Sequence, residues 1–216
     1  MENRNFVLAI TGASGTAYAV RLAQALLRAD ATLHMLVSNA ARQVAFREIG
    51  RDLPEHGADS AEWNDFFSNA FQHAPASNWG FPQEDVSGDV QCHALNDFSA
   101  GIASGSFLTG GMVICPCSGG TLSSVAQGIS ANLIHRAADV HLKERRPLLL
   151  VPREMPLGLI ALENMTRLTQ AGATILPAMP GFYQQPSSVA DLVDFAVARI
   201  CDHLKVPHNL MQRWSE

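Results

Sequence analysis

The chain has 216 residues, enough for one well-packed domain and short for two. It is 47% hydrophobic and 16% charged, with a formal net charge of -5, which suits a compact protein and excludes a general nucleic-acid binder, whose face would be basic. The start lacks a signal-peptide pattern, no run of about 18 apolar residues exists to span a bilayer, and Cys92, Cys115, Cys117 and Cys201 form no disulfide framework, so a reducing cytoplasm is expected.

In chain order, Phe6 to Ile10 reads as a buried strand, Gly12 to Gly15 as a tight turn, and Val20, Leu22, Ala23, Leu26 and Leu27 as one helix face. "TLHMLVS" (32–38) predicts a second strand and "NAARQVAFREIG" a helix ended by Gly50. Residues 51–103 are polar and predicted mostly loop, with a short helix at "SAEWNDFFSNAF". Alternation then resumes. "GMVICP" (111–116) is a strand, "GTLSSVAQGI" a helix start, "RAADVHLKERR" (136–146) a helix and "PLLLVPRE" (147–154) a strand. Residues 157–172 predict a helix, "ATILP" a strand, and 187–204 a helix whose Ser/Ser start and Asp191 suit an N-terminus. About five strands alternating with helices predict a single α/β domain over 1–216, with three layers and a doubly wound, mostly parallel sheet of the flavodoxin/Rossmann-like kind.

Ligands of such sheets bind beyond the carboxyl ends of the strands. At the first end, "TGASG" (11–15) opens a helix whose free N–H groups and dipole suit an anion, though the turn lacks the G-x-G-x-x-G spacing. Ser38 is the expected cap of the second helix. At the third end Pro116 marks where the strand runs out, and Ser118, Gly119, Gly120 and Thr121 follow where a helix begins. Cys115 and Cys117 lack the further ligands a zinc site needs and the spacing of a redox dithiol, so buried, inert thiols are expected, and no metal. In "VPREMPL" (151–157), Arg153 needs either Glu154 or a ligand anion as partner. "PAMPGFYQQP" (177–186) offers the Tyr183 phenol, and Arg199 lies on the last helix.

In this order, "TGASG", "VSNAA", "PCSGGTLS", "RAADVHLKERRPLLLVPRE", "GFYQQP" and a terminal "RW" resemble the UbiX-type flavin prenyltransferases. The resemblance covers almost the whole chain except roughly 51–103, a segment that looks longer than is usual in that family. Asn39 stands where the family commonly has lysine. The resemblance implies a flavodoxin-like, FMN-binding fold in a homo-oligomer, typically a dodecamer with sites at subunit interfaces. It implies metal-independent transfer of a dimethylallyl group from dimethylallyl phosphate to N5 and then C6 of reduced FMN. The prenylated flavin would then serve a UbiD-type decarboxylase.

Carried over by motif, FMN is expected to contact Gly12, Ala13, Ser14, Ser38, Ser118, Gly119, Gly120, Thr121 and Arg153. Tyr183, Arg199, Lys143 and Glu154 are expected to hold the dimethylallyl phosphate. Glu48 matches a glutamate placed for proton transfer, Glu154 and the released phosphate are further candidates for that step, and Trp214 matches an aromatic near the prenyl group. The residue types fit, because cations and a phenol can stabilise a departing phosphate without a divalent ion. Two rival readings are a flavin-dependent cysteine decarboxylase of the same superfamily and a non-catalytic flavin carrier. The first has P-x-S-A-N-T where this chain has "PCSGGT"; the second would not need a second anion site.

Overall fold

A computed structural model describes residues 4–213. Six strands, β1 (Asn5–Ile10), β2 (Thr32–Val37), β3 (Val90–Cys92), β4 (Gly111–Cys117), β5 (Leu148–Pro152) and β6 (Thr174–Ile175), form one sheet. Its order is β3-β2-β1-β4-β5-β6, and every neighbouring pair is parallel. The central strands are near-continuous apolar runs because helices cover both faces. One face packs α1 (Thr16–Arg28), α2 (Asn39–Ile49), α3 (Ser60–Asn69) and α7 (Val189–Leu204); the other packs α4 (Gly119–Ala126), α5 (Leu133–Lys143) and α6 (Leu159–Gln170). No helix among the described residues is long and apolar enough to cross a membrane.

Helix ends follow local rules. Ser38, Asp59, Ser118, Asn132 and Ser188 each accept a hydrogen bond from a first-turn amide. At α7 the Asp191 carboxylate also accepts from the Ser187 and Ser188 amides, closing a capping box.

Segment 51–103 is mostly loop and turn, as the sequence predicts, with its short helix in the expected place, but it also adds a strand. It supplies the sixth strand, β3, and the helix α3, whose Trp63, Phe66 and Phe67 are buried against the α1 face. Their rings meet at 5.3 to 6.1 Å. The strand was hidden because it is three residues long, with only Val90 buried. The segment is also tied in by charge. Arg21 on α1 donates to Glu84 and, through Nε and Nη2, to Asp194 on α7.

Four histidines are held neutral. Burial pushes His34 down to about 4, helped by His93, whose Nε2 lies 3.0 Å from His34 Nδ1. Burial pushes His141 down to about 4 as well, with Nδ1 against Ala137 O and Nε2 against the Thr109 hydroxyl. His93 and His135 are lowered by the same desolvation. The unfolded chain takes these protons first, so the stability they contribute is complete above about pH 6.5 and is lost as pH falls toward 4. Calorimetric scans should show Tm falling steadily across that window; a flat Tm would refute the assignment of neutral buried imidazoles.

Candidate functional site

The strand order reverses between β1 and β4, and the crevice of a doubly wound sheet opens at that switch point, beyond the carboxyl ends. Thr11, the first residue after β1, joins the two sides. Its hydroxyl donates to Pro116 O at 2.7 Å and accepts from the Ser118 amide at 2.8 Å. Sequence reasoning passed over Thr11, although a hydroxyl directly after an apolar strand was the available signal. Gly12 is required by crowding, since a Cβ there would lie 2.5 Å from Ala40 Cβ in the first turn of α2. That contact sets Ser38 and the α2 N-terminus against the first loop.

Across the crevice, Ser118 Oγ accepts from the Thr121 amide and donates to the Thr121 hydroxyl at 3.0 Å. The amides of Gly119 and Gly120, in the first turn of α4, have no side-chain cap, and space beside both Cα atoms is open. Among the described residues nothing accepts from the amides of Gly12, Ala13 or Ser14. Arg153, just past β5, reaches over this loop and donates from Nε to Ser14 O at 3.3 Å. Unpaired amides, two hydroxyls and a guanidinium on one edge are a donor set for a phosphate monoester. The residues therefore fit the phosphate end of FMN.

Glu48, at the end of α2, bridges the same loop. Its carboxylate accepts from the Gly15 amide at 3.0 and 3.1 Å and from the Thr16 amide at 2.7 Å, so it satisfies the first amides of α1. Tyr18 stands close by, with its ring 3.0 Å from a Cβ built at Gly15. Burial raises the Tyr18 hydroxyl, Cys115 and Glu48 add to the rise, and Arg153 opposes it. Tyr18 was not anticipated; it is two residues inside a helix, where a phenol ordinarily reads as packing.

The other expected residues fall into three places. Glu154 is exposed beside Arg153, and its Oε1 accepts from the Met155 amide at 3.3 Å. With Met155, Leu157, Met165 and Met179 it lines a cavity of about 90 Å³ next to the crevice. Tyr183 packs edge-on against Phe195 of α7 at 5.6 Å, and Arg199 follows one turn later on the same helix face. Lys143 lies at the far end of α5, which leads into the start of β5, and pairs with Glu144 at 2.6 Å beside Gly105. The chain's own Lys143 is therefore at the foot of the sheet, not at the crevice, because α5 runs antiparallel to the strands. Trp214 lies outside the described residues. A larger hollow, about 240 Å³ between Arg4, Phe6, Pro147 and Lys205, also sits at that foot, away from the strand ends.

The two thiols are buried, not presented to the crevice. β4 pairs with β5 through a register shift between Ile114 and Cys117, where Pro116 offers no amide. The shift sends Cys115 into the core under α1 and Cys117 into the core under α4. Burial drives the Cys115 thiol far up and Cys117 up to about 12. Among the described residues, no group of three or more His, Cys, Asp or Glu side chains is placed to hold a metal ion.

The flavoprotein family matches residues 1–201. The flavin prenyltransferase UbiX of Pseudomonas aeruginosa is 47% identical over 209 residues, 97% of this chain and 93% of that protein. The matched span thus runs across segment 51–103. AnUbiX (PadA1), solved in complex with FMN and dimethylallyl pyrophosphate, superposes with TM-score 0.82 at 33% identity, covering 99% of this chain and 98% of its own. A dodecameric FMN-dependent UbiX-like decarboxylase from Escherichia coli O157:H7 superposes with TM-score 0.79 at 34% identity, covering 98% and 100%.

Proposed function

Because the chain belongs to the flavoprotein family and, within it, to the UbiX-type flavin prenyltransferases, we propose that its switch-point crevice holds FMN and receives dimethylallyl phosphate beside it. The observation that carries this reading is the set of unpaired amides at Gly12–Ser14, beside the Arg153 guanidinium, and at Gly119–Gly120 across the crevice. In this reading Ser38, Ser118 and Thr121 add hydroxyls to the phosphate end of the flavin, and Arg153 faces both anions.

Reduced FMN, when bound, supplies N5 and C6 as the positions that accept the dimethylallyl group. The chain's part is electrostatic. As the allylic C–O bond breaks, negative charge grows on the departing phosphate; Tyr183 donates its hydroxyl to it and Arg199 its guanidinium. Glu154, beside Arg153, is proposed to exchange a proton with the leaving phosphate. Glu48, fixed by two main-chain amides, is proposed to take the proton that C6 loses. Trp214 is proposed as the π-face that shields the allylic group.

A homo-oligomer, dodecameric like the E. coli relative, is part of the same proposal. Met155, Leu159, Ile160, Met179 and Phe182, in the segments that follow β5 and β6, are 64 to 87% exposed, apolar surface that a second copy would cover. Lys143 at the foot of the sheet, and Arg199 in the half of α7 that runs down to that foot, would then serve a neighbour's phosphate site. The product is proposed to pass to a UbiD-type decarboxylase in the cytoplasm.

Anaerobic incubation with reduced FMN and dimethylallyl phosphate tests the activity, with a flavin heavier by one dimethylallyl group expected by mass spectrometry. No adduct, with turnover of a cysteinyl peptide instead, would overturn it. Tyr183→Phe and Arg199→Ala should each slow transfer by about a hundredfold while FMN binding stays nearly unchanged. Equal loss of both would refute the division of roles.

A further inference from the structure

Asp202, in the last turn of α7, gathers three basic side chains onto one carboxylate. Its Oδ2 accepts from Arg199 Nη1 at 2.9 Å, and its Oδ1 accepts from Arg213 Nη2 at 3.0 Å and faces His208 Nε2 at 3.1 Å. The Asp202 and His208 side chains are 18% and 3% exposed, so the cluster is sheltered, whereas Arg199 and Arg213 are half open. Burial opposes ionisation of Asp202, but the hydrogen bonds from His208 and Arg213 outweigh it and hold its carboxyl below the usual range.

The partners of Asp202 come from two parts of the chain. Arg199 is on the helix; His208 and Arg213 are on the segment that follows it. That segment folds back along α7 after Lys205, whose left-handed φ of 58° turns the chain. Its far end is fastened by Gln184, next to Tyr183, which donates from Nε2 to Gln212 O at 2.9 Å. Asp202 thus lies between the helix face that carries Arg199 and a strap that touches the Tyr183 loop.

We propose that Asp202 is a positioning residue for prenyl-phosphate capture. It fixes the Arg199 guanidinium through one donor and clamps the 206–213 strap against the Tyr183 loop. This inference rests on the reading of Arg199 as a phosphate ligand. An exposed arginine samples many rotamers, and ordering one before the ligand arrives lowers the entropic cost of binding. One donor is used by Asp202, and the rest of the fork stays available to phosphate oxygens. The carboxylate does not cancel the charge that the phosphate meets, because one negative group is shared between two guanidiniums.

Calorimetric titration of dimethylallyl phosphate into enzyme loaded with oxidised FMN reads this without turnover. Asp202→Asn keeps the size and one acceptor. It should weaken dimethylallyl phosphate binding about tenfold, leave FMN affinity within about twofold and raise KM far more than it lowers kcat. Asp202→Ser serves if the Asn variant folds poorly, with the same expectation. Adding Asp202→Asn to Arg199→Ala should cost much less than Asp202→Asn costs alone, the remainder being the strap's hold on the Tyr183 loop. A drop in Tm or FMN affinity with unchanged dimethylallyl phosphate binding would overturn the inference and leave Asp202 a purely structural clamp. Full additivity in the double variant would overturn it too. If Arg199→Ala weakens binding and Asp202→Asn does not, this inference alone fails. If Arg199→Ala itself has no effect, the reading beneath it fails as well.

Discussion

Arg21→Ala is expected to cost about 3–5 kcal/mol of stability, the penalty for leaving buried carboxylates without their counter-ion. Arg21 is 5% exposed and so is Glu84, and Asp194 is nearly as well covered. The substitution would strip Asp194 of both guanidinium bonds and leave Glu84 only Arg28, at 2.8 Å. Burial already pushes the Asp194 carboxyl up against the opposing pull of Arg21, so removing Arg21 takes away the pull that favours its ionised form. For a chain of this size the melting temperature should fall by roughly 6–20 °C. Exposed Arg4, paired with Asp30, is the control: Arg4→Ala should cost less than about 1 kcal/mol. Chemical denaturation followed by circular dichroism checks both, and near-equal losses would show that the buried network is not what joins α1, α7 and segment 51–103. The network also bears on the site, since α7 carries Phe195, Arg199 and Asp202.

Glu48→Gln and Glu48→Ala should separate two roles that the structure places on one side chain. The Gln variant keeps one acceptor oxygen, in the place of the Oε2 that both the Gly15 and Thr16 amides reach, but cannot take a proton. Its Tm should stay within a few degrees of the parent, while transfer slows by about 10²–10⁴, the usual worth of a positioned base. The Ala variant also leaves the first α1 amides unsatisfied. It should lose a further ~1–2 kcal/mol and bind FMN more weakly, because the Gly12–Gly15 loop loses its anchor. Anaerobic single-turnover measurements read the first effect and thermal unfolding with flavin titration the second. A Gln variant that transfers at the parental rate would remove Glu48 from the chemistry and leave it a cap.

The strand–loop–helix units and the parallel sheet were legible because they are written in local terms. Phe6–Ile10, 111–116 and 147–152 are apolar runs too short for helices, each followed by small or capping residues, and a cap at Ser38, Ser118 or Ser188 needs only its own next turn. Motif order then identified the family without any knowledge of contacts. Tertiary structure decided what depends on distant partners. β3 is a strand only because Leu33 and Met35 of β2 pair with it, and α3 is core only because α1 lies beneath it. Cys115 and Cys117, one residue apart, part company at a register shift that only β5 reveals. Glu48 meets Gly15 and Arg153 meets Ser14 across 33 and 139 positions of chain, and Lys143 is carried to the other end of the sheet by the direction of its helix. Residue types and their local order follow from short-range propensity; which of them share a crevice follows from how the sheet is wound.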